Sequence, residues 1–505
     1  MARFVYIIQT INLFFAQNHM INYKEMPKGV LEINIIQIFS TVGYAVLMGL
    51  LNFYLTDHGG FTKTEANTLT ASFFALNFLL HFLGGALGGK FFSFRGLFLI
   101  SLSLQVVSMF MIAVHNQTVI VYGMALFITG AGLNVSCINM MLTQLFKPED
   151  RSRRVAFSIN YSCMNIGFAG SFLLSGIIQS YGAYTIAFYT AAACLAISVI
   201  LHLLNFKNVQ DKDTYFHNQF SNSIARYFIA PSVICVCFIF SVFLIENPQY
   251  GSSLVIGVFI IVVTYLIYLA LKQTHEYRER IFAFMILSSA CMIFAFVQGM
   301  QSSALENFVE FNTNKSLFGI TMEPATVNVF ETLGVIVFGF LLALFAKKRL
   351  ESGTTLAPGS LITRGISLYI LAFLMILIGI ALANKDTGTV SVIFPILLLL
   401  IVAAGEIHVN ATSYALVGDL IKPTHQGMFT GYMFVNIAVG IVISGPVSNY
   451  AIGDEIHPEH ITALGTNPMY SNIFISLAIV ATILTIIFFL ISKKINSVFK
   501  KLHTS

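Results

Sequence analysis

Residues 327–340 read Val-Asn-Val-Phe-Glu-Thr-Leu-Gly-Val-Ile-Val-Phe-Gly-Phe, an apolar run that holds one acidic side chain, Glu331. Residues 398–409 read Leu-Leu-Leu-Ile-Val-Ala-Ala-Gly-Glu-Ile-His-Val and place Glu406 in a similar run. Each glutamate lies sixteen residues before the next lysine. Because a helix rises 1.5 Å per residue, both carboxyls are expected about 24 Å from the same membrane face.

A carboxylate is costly in the hydrocarbon core of a membrane, and intramembrane acids usually mark substrate or ion pathways. We therefore interpret Glu331 and Glu406 as candidate site residues. The alternative for each is a protonated glutamate that hydrogen-bonds a neighbouring helix. The matched depth of the two acids favours the site over that alternative.

The composition of the whole chain is that of a polytopic membrane protein. Of its 505 residues, 57% are hydrophobic and 10% are charged, and the mean hydropathy is +0.81. These values exclude a soluble globular protein. A helix needs about 20 apolar residues to cross a bilayer. Fourteen segments meet that need: 30–55, 65–89, 96–114, 118–145, 155–180, 184–205, 227–246, 252–271, 281–303, 317–346, 365–384, 388–417, 427–449 and 469–492.

The basic residues test this count through the positive-inside rule. With the N-terminus inside, 23 Lys and Arg residues fall on the inner side, and only Lys63, Lys315 and Lys385 fall outside, while Arg3 lies in the N-terminal tail. A missed or extra span would move all the following loops to the other side of the membrane and abolish this asymmetry. We therefore predict fourteen transmembrane helices with both termini cytoplasmic, and the net charge of +5 gives no indication of a nucleic-acid partner.

The basic loops divide the spans into groups of six, two and six. This grouping predicts an all-α major-facilitator fold, in which two six-helix bundles flank an inserted two-helix hairpin. The predicted parts are an N-terminal tail at 1–28, an N-terminal bundle at 29–206, a linker with the hairpin at 207–280, a C-terminal bundle at 281–492 and a basic cytoplasmic tail at 493–505.

The sequence holds no motif for covalent catalysis or metal binding. It contains no nucleophile elbow and no phosphate loop. All six cysteines fall inside predicted spans, and none has a zinc-type spacing with histidine. We therefore expect no enzyme, no cofactor and no metal, but a chemistry of binding and protonation.

Polar side chains inside the spans form a candidate substrate site. Tyr161 and Asn165 are four residues apart and share one helix face, as do Glu406 and Asn410. For a single Asn or Gln, an interhelical hydrogen bond is the simpler interpretation. The convergence of the set on two glutamates favours a solvated cavity. The predicted substrate-binding residues are Glu406, Glu331, Asn165, Tyr161, Gln298, Asn410, Tyr44 and Asn134.

A second, overlapping set is predicted to bind protons. Glu323 lies eight residues before Glu331, about 80° around a helix, so the two acids could form a ladder from the outer mouth to the midplane. His81 could titrate in a gate, although a neutral packing histidine is the alternative that we favour. The predicted proton-coupling residues are Glu331, Glu406, Glu323 and His81, with protons as the coupling ion.

Four stretches carry a resemblance to a known family. Residues 150–167, Asp-Arg-Ser-Arg-Arg-Val-Ala-Phe-Ser-Ile-Asn-Tyr-Ser-Cys-Met-Asn-Ile-Gly, hold a charged loop and a Phe-Ser-x-x-Tyr-x-x-x-Asn-x-Gly signature. This stretch is similar to the fifth helix of the proton-dependent oligopeptide transporter (POT) family of the major facilitator superfamily. Residues 294–303, 323–346 and 405–423 resemble its seventh, eighth and tenth helices. The inserted hairpin is typical of bacterial members.

Departures from the family pattern are concentrated at its charged positions. The first-helix Glu-x-x-Glu-Arg motif, tied to proton coupling, should fall near Gln37, where the sequence carries no charge. A fourth-helix Lys is replaced by Val135, the eighth-helix Asn by Glu331 and the Asp after the second helix by Gly89. The tenth-helix acid is retained as Glu406. The resemblance thus implies an acidic cavity without a fixed cation, which suits an amine-bearing solute.

The resemblance implies a secondary transporter that imports peptides or peptide-like solutes with protons by alternating access. It would work as a multi-pass monomer in the lipid bilayer of the bacterial inner membrane. Glu406 would contact the substrate amine, and Glu331 would bind a proton or the same amine. The altered first-helix motif leaves an uncoupled facilitator or an exporter open. A transport-inactive membrane sensor or assembly partner is a further alternative, although it would not need two buried carboxylates.

Overall fold

A computed structural model describes residues 26–147, 152–212, 214–221, 223–224, 226–352, 357–422, 425–452 and 462–504. Most of the predicted tail at 1–28 therefore lies outside the described residues, as do Asp150, Arg151 and Pro423 of the family motifs. The described chain is almost entirely helical, as expected for long apolar runs with few helix breakers.

Six helices build the N-terminal bundle, and local caps fix where they begin. The Thr62 hydroxyl accepts a hydrogen bond from the Glu65 amide, and the Glu65 carboxylate accepts one from the Thr62 amide. This capping box satisfies two amides at the start of the second helix. The six helices are α1 (Val30–Asp57), α2 (Lys63–Leu87), α3 (Phe94–Ile112), α4 (Gln117–Gln144), α5 (Ser152–Ser180) and α6 (Tyr184–Asn205).

The remaining helices form the inserted hairpin and the C-terminal bundle. Twelve helical segments of the described chain are long and apolar enough to cross a membrane. The hairpin consists of α7 (Arg226–Glu246) and α8 (Pro248–Leu271). The C-terminal bundle contains α9 (His275–Ser288), α10 (Cys291–Gln301), α11 (Ala304–Asn312), α12 (Pro324–Val327), α13 (Val329–Glu351), α14 (Pro358–Ala381), α15 (Ile393–Glu406), α16 (Thr412–Leu420), α17 (Gln426–Ile452) and α18 (Ala463–Thr504).

The predicted span at 317–346 is wrong at its outer end. Strands β2 (Ser316–Leu317) and β3 (Ile320–Thr321) form a small antiparallel hairpin there. Its turn residues Phe318 and Gly319 have positive φ values of 52° and 80°, the left-handed geometry that a tight hairpin turn requires. Hydropathy alone does not reveal this turn, because its Phe, Leu and Ile side chains are as apolar as those of a helix.

Two further short strands, β1 (Thr313–Asn314) and β4 (Val390–Ser391), pair in parallel near the same end of the bundle. The predicted boundary at 492 does not coincide with a break, because α18 continues as one helix to Thr504. The predicted basic tail is therefore an extension of the last helix.

The two bundles meet along two pairs of helices. Helix α2 packs along α17, and α5 packs against α12 and α13. The inserted hairpin lies at the first of these seams, because α8 contacts both α2 and α17 while α7 contacts α4. The hairpin thus touches both bundles.

Hydrogen bonds join the bundles at the end that holds Lys63 and Lys315, which we call the outer end because both lysines are predicted to lie outside. Asn67 Oδ1 accepts hydrogen bonds from Asn52 of its own bundle at 2.8 Å and from Asn307 of the other bundle at 3.2 Å. The Asn449 amide donates to the Thr68 hydroxyl at 3.0 Å, and Gln179 Oε1 accepts from the Ala325 amide at 3.4 Å. The outer end is closed by these contacts.

Gly176 permits the close approach of α5 to α12 at the outer end. A Cβ atom built on Gly176 would collide with the hydroxyl of Thr326, whereas one on Gly170 of the same helix would meet nothing within 4 Å. The absence of a side chain at Gly176 therefore sets the helix spacing at this seam.

We expect Gly176→Val to force α5 away from α12 and to destabilise the closed outer end, because overpacking in a well-packed contact costs about 1–3 kcal/mol. The melting temperature of the purified protein in detergent measures this effect. Gly170→Val is the matched control and should leave the melting temperature nearly unchanged. Equal losses in both variants would contradict a close contact at Gly176.

Candidate substrate and proton site

The helices that carry the two glutamates are irregular at the level of the carboxyls. Helix α10 ends at Gln301 before α11 begins, and the break between α12 and α13 falls three residues before Glu331. Helix α15 ends at Glu406 and continues as a π-helix at Ile407–Ala411. Interrupted helices and π-turns change the direction of side chains and release backbone groups from helical bonding. Such interruptions are typical of transport sites at the membrane midplane.

Glu331 is held by one side chain of a neighbouring helix. It is only 7% exposed, and its Oε2 accepts a hydrogen bond from Gln301 Nε2 at 2.7 Å. Its Oε1 is buried without a protein partner. The glutamate is therefore oriented by an amide rather than by a cation.

Glu406 lies where the two bundles meet. The side chains of Asn410, four residues further along, and of Tyr161, on α5 of the other bundle, lie close enough to its carboxyl to interact with it electrostatically. The charge of Glu331 also acts on this carboxyl. The role of Glu406, Asn410 and Tyr161 in substrate binding stays a prediction.

Tyr161 and Tyr414 are partly exposed phenols near Glu406. Tyr161 is 41% exposed and Tyr414 is 40% exposed, and the Glu406 carboxyl interacts electrostatically with both side chains. The Asn165 amide donates to the Tyr161 carbonyl at 2.9 Å, as the shared helix face predicts. The two phenols therefore place exposed polar groups beside Glu406.

Gln298 and Tyr44 meet in a separate, small cavity of about 10 Å³ between the bundles. That volume is close to the lower limit for one water molecule. Gln298 Oε1 is buried there without a protein partner. Asn134 is partly exposed on α4, and no contact described for it joins it to the glutamates. The lining residues are Tyr44, Met48, Phe74, Gln298, Gly299, Ser302 and Ile441.

Glu323 forms an ion pair that the predicted ladder of acids did not include. Its Oε2 accepts a hydrogen bond from Lys315 Nζ at 2.9 Å, and Lys315 also contacts both carboxylate oxygens of Glu310. Although burial lowers the pKa of Lys315, its bonds to Glu310 and Glu323 raise that pKa above the ordinary value overall. The hairpin of β2 and β3 brings this lysine to the carboxylate, so Glu323 belongs to an outer ion-pair cluster.

His81 sits at the seam between α2 and α17. Its Nδ1 is 2.9 Å from the carbonyl oxygen of Gly132, and its ring packs edge-on against Phe78 and Phe434, each with a centroid distance of 5.3 Å. This environment is that of the packing histidine that the sequence analysis favoured. A role in proton transfer remains a prediction.

Two features of the interior were missed by the sequence analysis. The pairing of Gln301 with Glu331 was not predicted. Glu306 lies beyond the predicted span at 281–303, and α11 buries it to 2% exposure with no protein partner for either oxygen. Lys63 is equally buried, with Nζ 4.4 Å from the Phe53 ring centroid. The alternation of Glu306, Asn307 and Glu310 with apolar residues was the available signal for this helix.

Comparisons with known proteins agree with this architecture. The family model PTR2, described as the POT family, matches residues 87–454. A dipeptide and tripeptide permease A from Pectobacterium carotovorum is 25% identical over 485 residues, which cover 94% of this chain and 93% of that protein. A dipeptide and tripeptide permease B from Photorhabdus asymbiotica is 23% identical and covers 92% of this chain and 95% of that protein.

Solved structures share the fold. A bacterial homologue of the human drug peptide transporters PepT1 and PepT2 superposes with a TM-score of 0.78 at 18% identity, covering 94% of this chain and 98% of that one. A peptide transporter POT in complex with sulfate gives a TM-score of 0.78 at 20% identity, covering 95% and 97%. Because the family model matches well over half of the sequence, this chain belongs to the POT family of transporters.

Proposed function

We propose that this protein is a secondary active transporter that imports peptides, or peptide-like solutes with an amine, together with protons by alternating access. The observation that carries the proposal is the position of Glu406. Its carboxyl belongs to the C-terminal bundle but interacts electrostatically with Tyr161 of the N-terminal bundle. A ligand or proton at this carboxyl therefore acts on the contact between the bundles that must move relative to each other.

The chemistry of the cavity supports an amine-bearing substrate. Among the described residues, no salt bridge joins a lysine, arginine or histidine to Glu331 or Glu406. Two carboxyls without a fixed cation attract a positively charged group or take up protons. The relatives named as dipeptide and tripeptide permeases support a peptide amine as that group.

Proton coupling is assigned in this proposal to the same two carboxyls, with protons as the coupling ion and no other cofactor. Glu406 contacts the substrate amine, and Glu331 binds a proton or the same amine. Tyr161, Asn165, Gln298 and Asn410 supply hydrogen bonds to the substrate. Glu323, His81, Tyr44 and Asn134 are retained as more distant candidates.

The proposed topology has fourteen transmembrane helices and cytoplasmic termini in the bacterial inner membrane. Helices α2 and α7, of 25 and 21 residues, add to the twelve apolar segments because each coincides with a predicted span. The distribution of Lys and Arg supports this orientation. Since both glutamates and their partners come from one chain, we propose a functional monomer. A tetrameric crystal form exists for one related transporter of the same fold.

The Glu→Gln variants test proton coupling. We expect Glu406→Gln to reduce peptide uptake into liposomes at least tenfold, because a neutral amide cannot pair with the amine and a lost charged hydrogen bond costs about 1.5–3 kcal/mol. We expect Glu331→Gln to flatten the dependence of uptake on external pH. Unchanged pH dependence in both variants would refute proton binding at these carboxyls. Glu279→Gln, at an exposed cytoplasmic position, is the control.

Tyr161→Phe tests the contact between the bundles. Removal of the hydroxyl takes a polar group away from the surroundings of the Glu406 carboxyl, and we expect the KM for peptide to rise by about tenfold, or about 1.4 kcal/mol. Tyr189→Phe is a suitable control because Tyr189 is exposed on α6. A Tyr161→Phe protein with the wild-type KM would exclude the hydroxyl from substrate binding.

A thermal-shift screen tests the substrate class and the alternative functions together. The purified protein is heated with dipeptides, amino acids, polyamines and peptide-like metabolites at two pH values. We expect stabilisation by dipeptides, about 2.7 kcal/mol at a hundredfold excess over Kd. Stabilisation by another class alone would indicate a different substrate. Binding of dipeptides without uptake in liposomes would favour the transport-inactive sensor, and uptake without pH dependence would favour the facilitator.

A further inference from the structure

The hydrogen bond between Gln301 and Glu331 leaves one buried oxygen atom of each side chain without a partner. Gln301 Nε2 donates to Glu331 Oε2 at 2.7 Å, and the two side chains are 0% and 7% exposed. The other oxygen of each group, Gln301 Oε1 and Glu331 Oε1, is buried without a protein partner. Both of these oxygens are acceptors. Neither can satisfy the other while Glu331 is a carboxylate.

A single proton on Glu331 can join the two unpartnered oxygen atoms by a hydrogen bond. A neutral carboxylic acid has one O–H donor and one carbonyl acceptor, and a primary amide has the complementary pair. With the proton on Oε1, Glu331 can donate to Gln301 Oε1 while its Oε2 still accepts from Gln301 Nε2. The unprotonated pair keeps the charge-assisted N–H bond, which is the stronger bond of its type. The amide is thus a partner for Glu331 in both protonation states.

The other groups around Glu331 do not duplicate this partner. The titratable groups whose charges interact with Glu331 are Glu406 at the end of α15, Tyr161 of α5 and Tyr369 of α14. The Tyr369 hydroxyl is buried without a protein partner. Gln301 makes the one hydrogen bond described for the Glu331 side chain.

Gln301 is also placed where the helix is interrupted. It is the last residue of α10, and Ser303 follows in the break before α11. The Ser303 hydroxyl lies 2.7 Å from that of Ser448 on α17 and 2.8 Å from the Gly299 carbonyl. Movement of α17 is therefore transmitted to the end of α10 and to the position of the amide.

We propose that Gln301 is the positioning residue for the coupling proton on Glu331. The inference rests on the proposed proton-coupled transport and deepens it. The amide keeps one hydrogen bond to the carboxyl in both states, and the second hydrogen bond forms when the proton binds. The proton comes from water in the cavity and returns to it, and no covalent bond of the protein changes.

The variant Gln301→Met tests this role, because methionine is of similar length and has no amide. The loss of the Nε2 donor disfavours the carboxylate, so Glu331 retains its proton to higher pH. We expect the midpoint of the pH profile for peptide uptake into liposomes to move up by about one unit, a tenfold change in proton binding. We expect peptide exchange at equal pH on both sides to change less than threefold. Gln105→Met is the matched control, since Gln105 is 1% exposed on α3 and donates to the Ser101 carbonyl.

The exchanged pair, Gln301→Glu together with Glu331→Gln, provides a rescue. It keeps one acid and one amide in contact, so we expect it to regain the pH dependence that Glu331→Gln alone loses. An unmoved midpoint in Gln301→Met, or an exchanged pair that folds with the wild-type melting temperature but regains no pH dependence, would overturn the inference. Uptake by the wild-type protein that does not depend on pH would instead overturn the proposed coupling.

Discussion

The energetic cost of two carboxyls in the interior of a membrane protein determines how this site is built. An uncompensated buried charge is far more costly than a hydrogen-bonded or neutralised one. In the described residues neither Glu331 nor Glu406 forms a salt bridge with a basic side chain. Gln301 donates a hydrogen bond to Glu331, and Tyr161 and Asn410 lie near Glu406, but none of the three side chains supplies a charge. The remaining charge must be balanced by what enters from solution, which is why a proton or an amine fits this site.

The irregular helices place the partners of the carboxyls. A continuous α-helix satisfies its own backbone and leaves its side chains at fixed angles, whereas the break before Glu331 and the π-helix after Glu406 relax both constraints. The interruption after Gln301 has the same effect on α10, which carries the amide. Each of these three interruptions gives up backbone hydrogen bonds of a helix. Each also lies within a few residues of one of the acids or of the amide that binds Glu331. The local irregularity and the buried charge are parts of one arrangement.

The sequence predicted the membrane class, the POT resemblance and the shared helix face of Tyr161 and Asn165. Long apolar runs and helical periodicity depend on neighbouring residues, so a sequence records them directly. The hairpin that brings Lys315 to Glu323 could not be predicted, because its residues are as apolar as those of a membrane span. The pairing of Gln301 with Glu331 joins residues of different helices, which no spacing specifies. Predictions failed where contacts depend on the tertiary arrangement of the helices.

The distribution of charge between the bundles bears on how transport would be coupled. Near the position of the first-helix motif, Gln37 Nε2 donates to the Thr41 hydroxyl at 3.1 Å, and that hydroxyl donates to the Gln37 carbonyl at 2.7 Å. Gln37 and Thr41 thus hydrogen-bond to each other within α1, and neither side chain is an acid or base that could take up a proton. The N-terminal bundle instead places the neutral Tyr161 side chain near Glu406. In the proposed mechanism, a proton or amine on the acids of one bundle changes their interaction with Tyr161 of the other, and the equilibrium between the two arrangements of the bundles shifts with it.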